Sequence, residues 1–149
     1  MENGCDMVYL MHGFIGSGKT TKAKELEQTH NAIRITPDDW MAELFGIDPP
    51  AETFQRRLAT LLELLKPMWI KAAKAGIPVI LDYGFWTKQS REEIQNILQS
   101  LQISFEWVRM QTSMDECRKR NHLRNKNRGG SLYIADNTFD LLRTRFEPM

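Results

Sequence analysis

Eight consecutive residues constrain this chain more than any others: Gly13-Phe14-Ile15-Gly16-Ser17-Gly18-Lys19-Thr20. Glycine, glycine, lysine and threonine stand at the fixed places of the pattern G-x-x-x-x-G-K-[ST]. Glycines let the backbone wrap closely, so that successive N–H groups point inward at an anion. A helix starting at the end of such a loop adds its positive N-terminal end. Lys19 can then reach the outer phosphates of a nucleoside triphosphate, and the Thr20 hydroxyl can ligate Mg²⁺. The loop needs a strand before it and a helix after it. The apolar run Met7-Val8-Tyr9-Leu10-Met11-His12 predicts the strand, and the spacing predicts a helix from about Lys19 to Thr29.

The rest of the chain repeats that alternation. Strands are expected at Ala32–Ile35, Pro78–Asp82 and Phe105–Met110. Between them lie a short helix opened by Thr36-Pro37-Asp38-Asp39 and ending near Gly46, and a long one over Glu52–Ala75. Leu58, Leu61, Leu62 and Leu65 mark the inner face of the long helix, Pro67 is expected to bend or split it, and Gly76 to stop it. Thr87 is expected to cap a helix over Lys88–Ser100, and Ser113 with Glu116 to form a capping box for the next one. A last helix is expected over Asn137–Arg145. Strictly alternating strands and helices imply an α/β three-layer sandwich around a parallel sheet.

Composition adds exclusions. The chain has 149 residues, 42% hydrophobic and 26% charged, which suits one globular domain spanning 1–149 and excludes a disordered or disulfide-dense chain. Lys and Arg number 20 against 19 Asp and Glu, so there is no overall pull toward a polyanion or a membrane surface. Cys5 and Cys117 match neither a metal nor a redox spacing. Neither a signal peptide nor an apolar run long enough to span a bilayer is seen, and a reducing cytoplasmic setting is expected.

Charge is nevertheless concentrated. Arg118, Lys119, Arg120, Arg124, Lys126 and Arg128 crowd one segment that contains no acid. Arg120 and Arg124 share a helical face. With Gly129-Gly130 as a hinge, about 118–135 reads as a short basic lid that clamps a nucleotide. Asp38 and Asp39 follow the second strand, at the end of the sheet where ligands bind. One of them, Asp38 in preference, is a candidate base for an acceptor hydroxyl. Asp82 ends the third strand and is a candidate partner of Mg²⁺. No Asn-Lys-x-Asp guanine reader occurs: the nearest string is Asn125-Lys126-Asn127-Arg128. Trp40, Phe85 and Trp86 could line an acceptor pocket or serve as core, and His12, beside the loop, is read as a packed side chain.

Together these strings resemble the small P-loop kinases grouped with AAA-type ATP-binding proteins, whose relatives include polynucleotide kinase, zeta toxin and chloramphenicol phosphotransferase. The resemblance runs through Asp38-Asp39-Trp40, Val79-Ile80-Leu81-Asp82-Tyr83-Gly84-Phe85-Trp86 and Arg120-Asn121-His122-Leu123-Arg124. It implies ATP with Mg²⁺ as cofactors and transfer of the γ-phosphate to a hydroxyl. Lys19, Asp38, Arg120 and Arg124 would be catalytic, and Thr20 and Asp82 would serve the metal. Gly13, Phe14, Ile15, Gly16, Ser17, Gly18, Lys19, Thr20, Thr21 and Arg120 would hold the nucleotide. The expected partner is a small-molecule acceptor. A nucleic-acid or nucleoside 5′-hydroxyl is the alternative, disfavoured because Met41 stands where polynucleotide kinase has an acceptor-holding arginine. A nucleotide sugar and a non-catalytic ATP-binding module are further alternatives. Such relatives continue past a Phe-Glu-x-Pro like Phe146-Glu147-Pro148 into a last strand, so the sheet is expected to have four or five strands.

Overall fold

The computed structural model describes residues 7–127 and 132–149. In chain order the elements are β1 (Met7–His12), α1 (Lys19–His30), β2 (Ile33–Ile35), α2 (Pro37–Phe45) and α3 (Ala51–Lys74), then β3 (Val79–Gly84), α4 (Lys88–Ser100), β4 (Ser104–Arg109), α5 (Met114–Asn127) and α6 (Asp136–Arg143). Among the described residues the sheet has four strands in the order β2-β3-β1-β4, every neighbouring pair parallel. Parallel neighbours need crossovers longer than a hairpin, and the helices supply them.

Successive residues of β1 face opposite layers, as strand geometry requires. Val8 and Leu10, with Val79 and Leu81 of β3, join the main core under α3 and α4, where Leu61, Leu65, Trp69 and Leu98 are buried. Tyr9 and Met11 turn the other way with Ile80 and meet Ala23 of α1. A third cluster, around Phe14, Cys117 and Phe139, packs α5 and α6 behind the glycine loop. β1 pairs with β3 on one side and β4 on the other, and its register against β3 shifts between Leu10 and His12. Pairing resumes at His12 with Gly84, and the glycine loop leaves β1 from there, at the carboxyl ends of the strands where sheets of this kind bind ligands.

Three local expectations change. α3 runs unbroken through Pro67. The proline stands on the solvent face, where water can take the carbonyl that loses its donor, so the helix is not split. Thr36 holds the N-cap position of α2, but its side chain makes no cap bond. Ser113 does accept from the Glu116 amide at 3.2 Å, yet the Glu116 carboxylate turns to Arg120 instead of closing a capping box. Thr87 caps α4 as expected, accepting from the Ser90 amide at 3.1 Å.

α5 carries little apolar surface and is held by polar contacts. Asn121 and Asn125 donate to the Ile134 carbonyl, and the Ile134 amide returns to Asn125. Leu132 is buried in the main core, and the Tyr133 amide donates to the Ile47 carbonyl. The return of the expected lid is thus tied both to α5 and to the α2–α3 loop. The expected hinge at Gly129-Gly130 lies outside the described residues, as do Cys5 and Arg128.

Candidate active site

The glycine loop joins β1 to α1. Gly16 and Gly18 have φ of 78° and 92°, the left-handed region that favours glycine. Gly16 is restricted twice over: a Cβ there would fall 2.3 Å from the Cys117 carbonyl oxygen. The first turn of α5 therefore lies directly on the loop. Gly18 caps α1 without a side chain, so no hydroxyl or carboxylate of its own occupies the first amides of the helix. On the outer side, the Thr112 hydroxyl donates to the Ser17 carbonyl at 2.7 Å and fixes the β4–α5 loop against it.

Lys19 and Thr20, in the first turn of α1, meet Asp82 of β3. The Thr20 hydroxyl donates to Asp82 Oδ2 at 2.8 Å, and Lys19 Nζ stands 3.8 Å from Oδ1. Asp82 is only 3% exposed, and Oδ1 accepts no hydrogen bond. A buried carboxylate oxygen without a donor marks a place for a further partner. The Ser17 hydroxyl, also buried in the loop, is likewise without one. These residues fit a magnesium nucleotide: a threonine hydroxyl and a nearby carboxylate, with phosphate and water left to complete the shell. No group of three or more His, Cys, Asp or Glu able to hold a metal occurs among the described residues.

The two acids of α2 separate. Asp39 turns to Arg34, 3.4 Å away. Asp38 makes no hydrogen bond among the described residues and feels the charges of Lys19, Asp82 and Arg124. Solvent reaches the residue, yet enough neighbouring protein stands around the carboxylate to cost it hydration. The hydration lost there raises its carboxyl above the ordinary range; Lys19 opposes that shift, Asp82 adds to it, Arg124 opposes it and Asp39 adds to it.

The basic segment also divides. Arg118 bonds Asp136 and Asp140 and stacks over the Phe139 ring at 4.7 Å, so it secures α6. Arg120 is held by Glu116 at 3.2 Å and reaches the Gly16 carbonyl at 3.5 Å. With Arg124, Gly18, Thr21 and Met110 it lines a 530 Å³ cleft on the outer side of the loop. That cleft is roomy enough for the base and sugar of a nucleotide.

Of the three aromatic pocket candidates, two are accounted for by packing and hydrogen bonding, and Trp40 is open to solvent. Trp40 is 43% exposed, so it is not core; Phe85 is buried in the main core; Trp86 donates to the Gly13 carbonyl at 3.2 Å and packs on Phe14. Met41 is wholly buried. His12 is buried, bonded to the Phe85 carbonyl and stacked on Phe146, and burial lowers its pKa. A neutral ring donating to a carbonyl is a packing role, as expected. Sequence reasoning missed Arg34, Thr36 and Glu27. Arg34 donates to Glu27 at 2.9 Å and to Thr36 at 2.6 Å, and Thr36 donates to Asp82 Oδ2 at 2.9 Å. The only available signal was the helix-cap pattern at Thr36, which pointed elsewhere.

The AAA domain family matches residues 8–149. The chain belongs to the AAA domain family. No curated protein matches it. Among solved structures, a "putative kinase" from Chloroflexus aurantiacus J-10-fl is similar at 19% identity and TM-score 0.75, over 97% of this chain and 79% of that one. A chain of the Pnkp1/Rnl/Hen1 RNA repair complex is similar at 20% identity and TM-score 0.67. That match takes in 93% of this chain but only 43% of the other, so this AAA domain spans less than half of the repair protein's length. APE1195 is similar at 24% identity and TM-score 0.58, over 95% and 79% of the two chains. At these identities the likeness concerns the fold alone. No helix among the described residues is long and apolar enough to cross a membrane.

Proposed function

We propose that this AAA domain is a phosphotransferase that moves the γ-phosphoryl group of Mg-ATP to a hydroxyl of a small molecule, in a reducing cytoplasmic setting. The observation that carries the reading is Asp38. An unpaired carboxylate with a raised pKa lies within range of the charges of the loop lysine and the cleft arginine. Bound magnesium would neutralise charge on the β- and γ-oxygens, with Thr20 and Asp82 as its protein contacts. Lys19 and the loop amides hold the phosphates in line. Asp38 orients the acceptor hydroxyl and takes its proton as the new O–P bond forms. The bond from the γ-phosphorus to the bridging oxygen breaks, and ADP leaves with that electron pair. Arg120 and Arg124 cover the nucleotide and exclude water.

The test begins with a panel of hydroxyl metabolites screened for accelerated ADP release. With the best acceptor, Asp38→Asn lowers turnover on the order of 10²-fold and leaves Mg-ATP binding near native. Full activity in that variant would overturn the assignment of the base.

The likeness to a chain of an RNA repair complex favours one second reading, transfer to a 5′-hydroxyl of nucleic acid. Met41 speaks against it, because a side chain wholly buried in the core cannot hold a phosphodiester. Including 5′-hydroxyl oligonucleotides in the same panel separates the two.

A further inference from the structure

Thr36 spends its hydroxyl on the site rather than on its helix. It sits at the N-cap of α2, where a threonine oxygen ordinarily accepts from the first-turn amides. Here the oxygen accepts from Arg34 Nη1 at 2.6 Å, and its single proton goes to Asp82 Oδ2 at 2.9 Å. A hydroxyl has one proton to give. A short bond from a guanidinium on its lone pair therefore directs that proton toward the carboxylate and strengthens the donation. Arg34 is in turn oriented by Glu27 of α1 at 2.9 Å. The chain Glu27–Arg34–Thr36–Asp82 ends on the oxygen that also receives the Thr20 hydroxyl. Two donors on Oδ2 fix the rotation of Asp82, leaving Oδ1 bare and 3.8 Å from Lys19.

We infer that Thr36, polarised by Arg34, is a positioning residue for the metal side of the site: it holds Asp82 away from a close ion pair with Lys19. Without it, Oδ2 keeps one donor and the carboxylate can swing onto the lysine. A closed Lys19–Asp82 pair withdraws the cation from the phosphates and the carboxylate from magnesium together. The inference rests on the proposed assignment of Asp82 to magnesium and of Lys19 to phosphate, and it adds the device that keeps them apart.

The test is calorimetric and needs no acceptor. The affinity of the full chain is measured for ATP with excess magnesium and for ATP in a chelator, and the ratio of the two constants is the readout. In Thr36→Val that ratio falls about 10-fold, the size of loss typical when an outer partner of a metal site is removed. Thr36→Ser restores it, since the hydroxyl alone is required. Arg34→Met lowers the ratio less, and combining it with Thr36→Val adds nothing, because Arg34 acts through Thr36. Should Thr36→Val fail to fold, Arg34→Met carries the test alone. A native ratio in Arg34→Met, or equal weakening of both constants in a folded Thr36→Val, overturns the inference. If the native chain takes up no magnesium nucleotide, it is instead the phosphotransferase reading that fails.

Discussion

Asp38, the proposed base, illustrates how such a position works against the fold that holds it. Its folded pKa lies above the value of a free aspartate, first through lost hydration. Below the ordinary pKa the group is protonated whether folded or not and costs nothing. As pH rises through the folded value, the ionised form must be kept in surroundings that resist it, and stability is lost. Above the folded value that cost is fully present. Asp38→Asn removes it, so the variant melts at a higher temperature than the native chain near pH 7. The gain shrinks as the buffer approaches pH 4. Thermal scans of the two proteins across that range check the sign. A variant that melts lower at every pH would show that the carboxylate is structurally favourable where it stands.

At the scale of elements, the least expected joint is the one at Arg91 of α4. The residue is buried, and its guanidinium donates to the carbonyls of Phe85, Trp86 and Glu147 at 2.9, 3.2 and 2.9 Å. The Glu147 amide returns to the Trp86 carbonyl at 2.8 Å, and its side chain accepts from the Lys88 amide. One arginine thus fastens the segment after α6 to the β3–α4 loop. That loop in turn supports the glycine loop through Trp86. Arg91→Met keeps the apolar stem, and the Phe85 carbonyl keeps His12 while the Trp86 carbonyl keeps the Glu147 amide; the Glu147 carbonyl loses its donor and the joint its three charge-assisted bonds, which costs about 1–3 kcal/mol. Urea unfolding followed by tryptophan fluorescence reads the loss as a lower midpoint. Helix and strand positions themselves were legible from periodicity and end signals, as at Thr87, whose hydroxyl caps α4 where the pattern placed it. The Arg91 joint was not legible, because its three acceptors are main-chain carbonyls, two of them in a loop, and carry no sequence mark.

For the molecule as a whole, the sheet order β2-β3-β1-β4 brings residues distant in sequence together at the carboxyl ends of the strands: Thr20, Asp38, Asp82 and Arg124. A ligand that bridges such residues stabilises the fold by mass action. Mg-ATP at about 100 times its dissociation constant adds roughly 2.7 kcal/mol, which for a chain of this size raises the melting temperature by about 5–10 °C. Lys19→Ala should abolish most of the shift. Scanning fluorimetry with and without Mg-ATP tests this, and an unchanged melting curve for the native chain at millimolar nucleotide would refute the binding claim.

The amino-acid sequence by itself determined the glycine loop, the alternation of elements and the identities of Lys19, Thr20, Asp38 and Asp82, since these depend on local spacing and on backbone freedom within a few residues. Tertiary structure decided which way each side chain turns. It sent Asp39 to Arg34 while leaving Asp38 without a hydrogen bond among the described residues, gave Arg118 to α6 while Arg120 and Arg124 line the cleft, and diverted Thr36 from its helix to Asp82. Each outcome depends on a partner from another element, brought within hydrogen-bonding distance only when the strands pair.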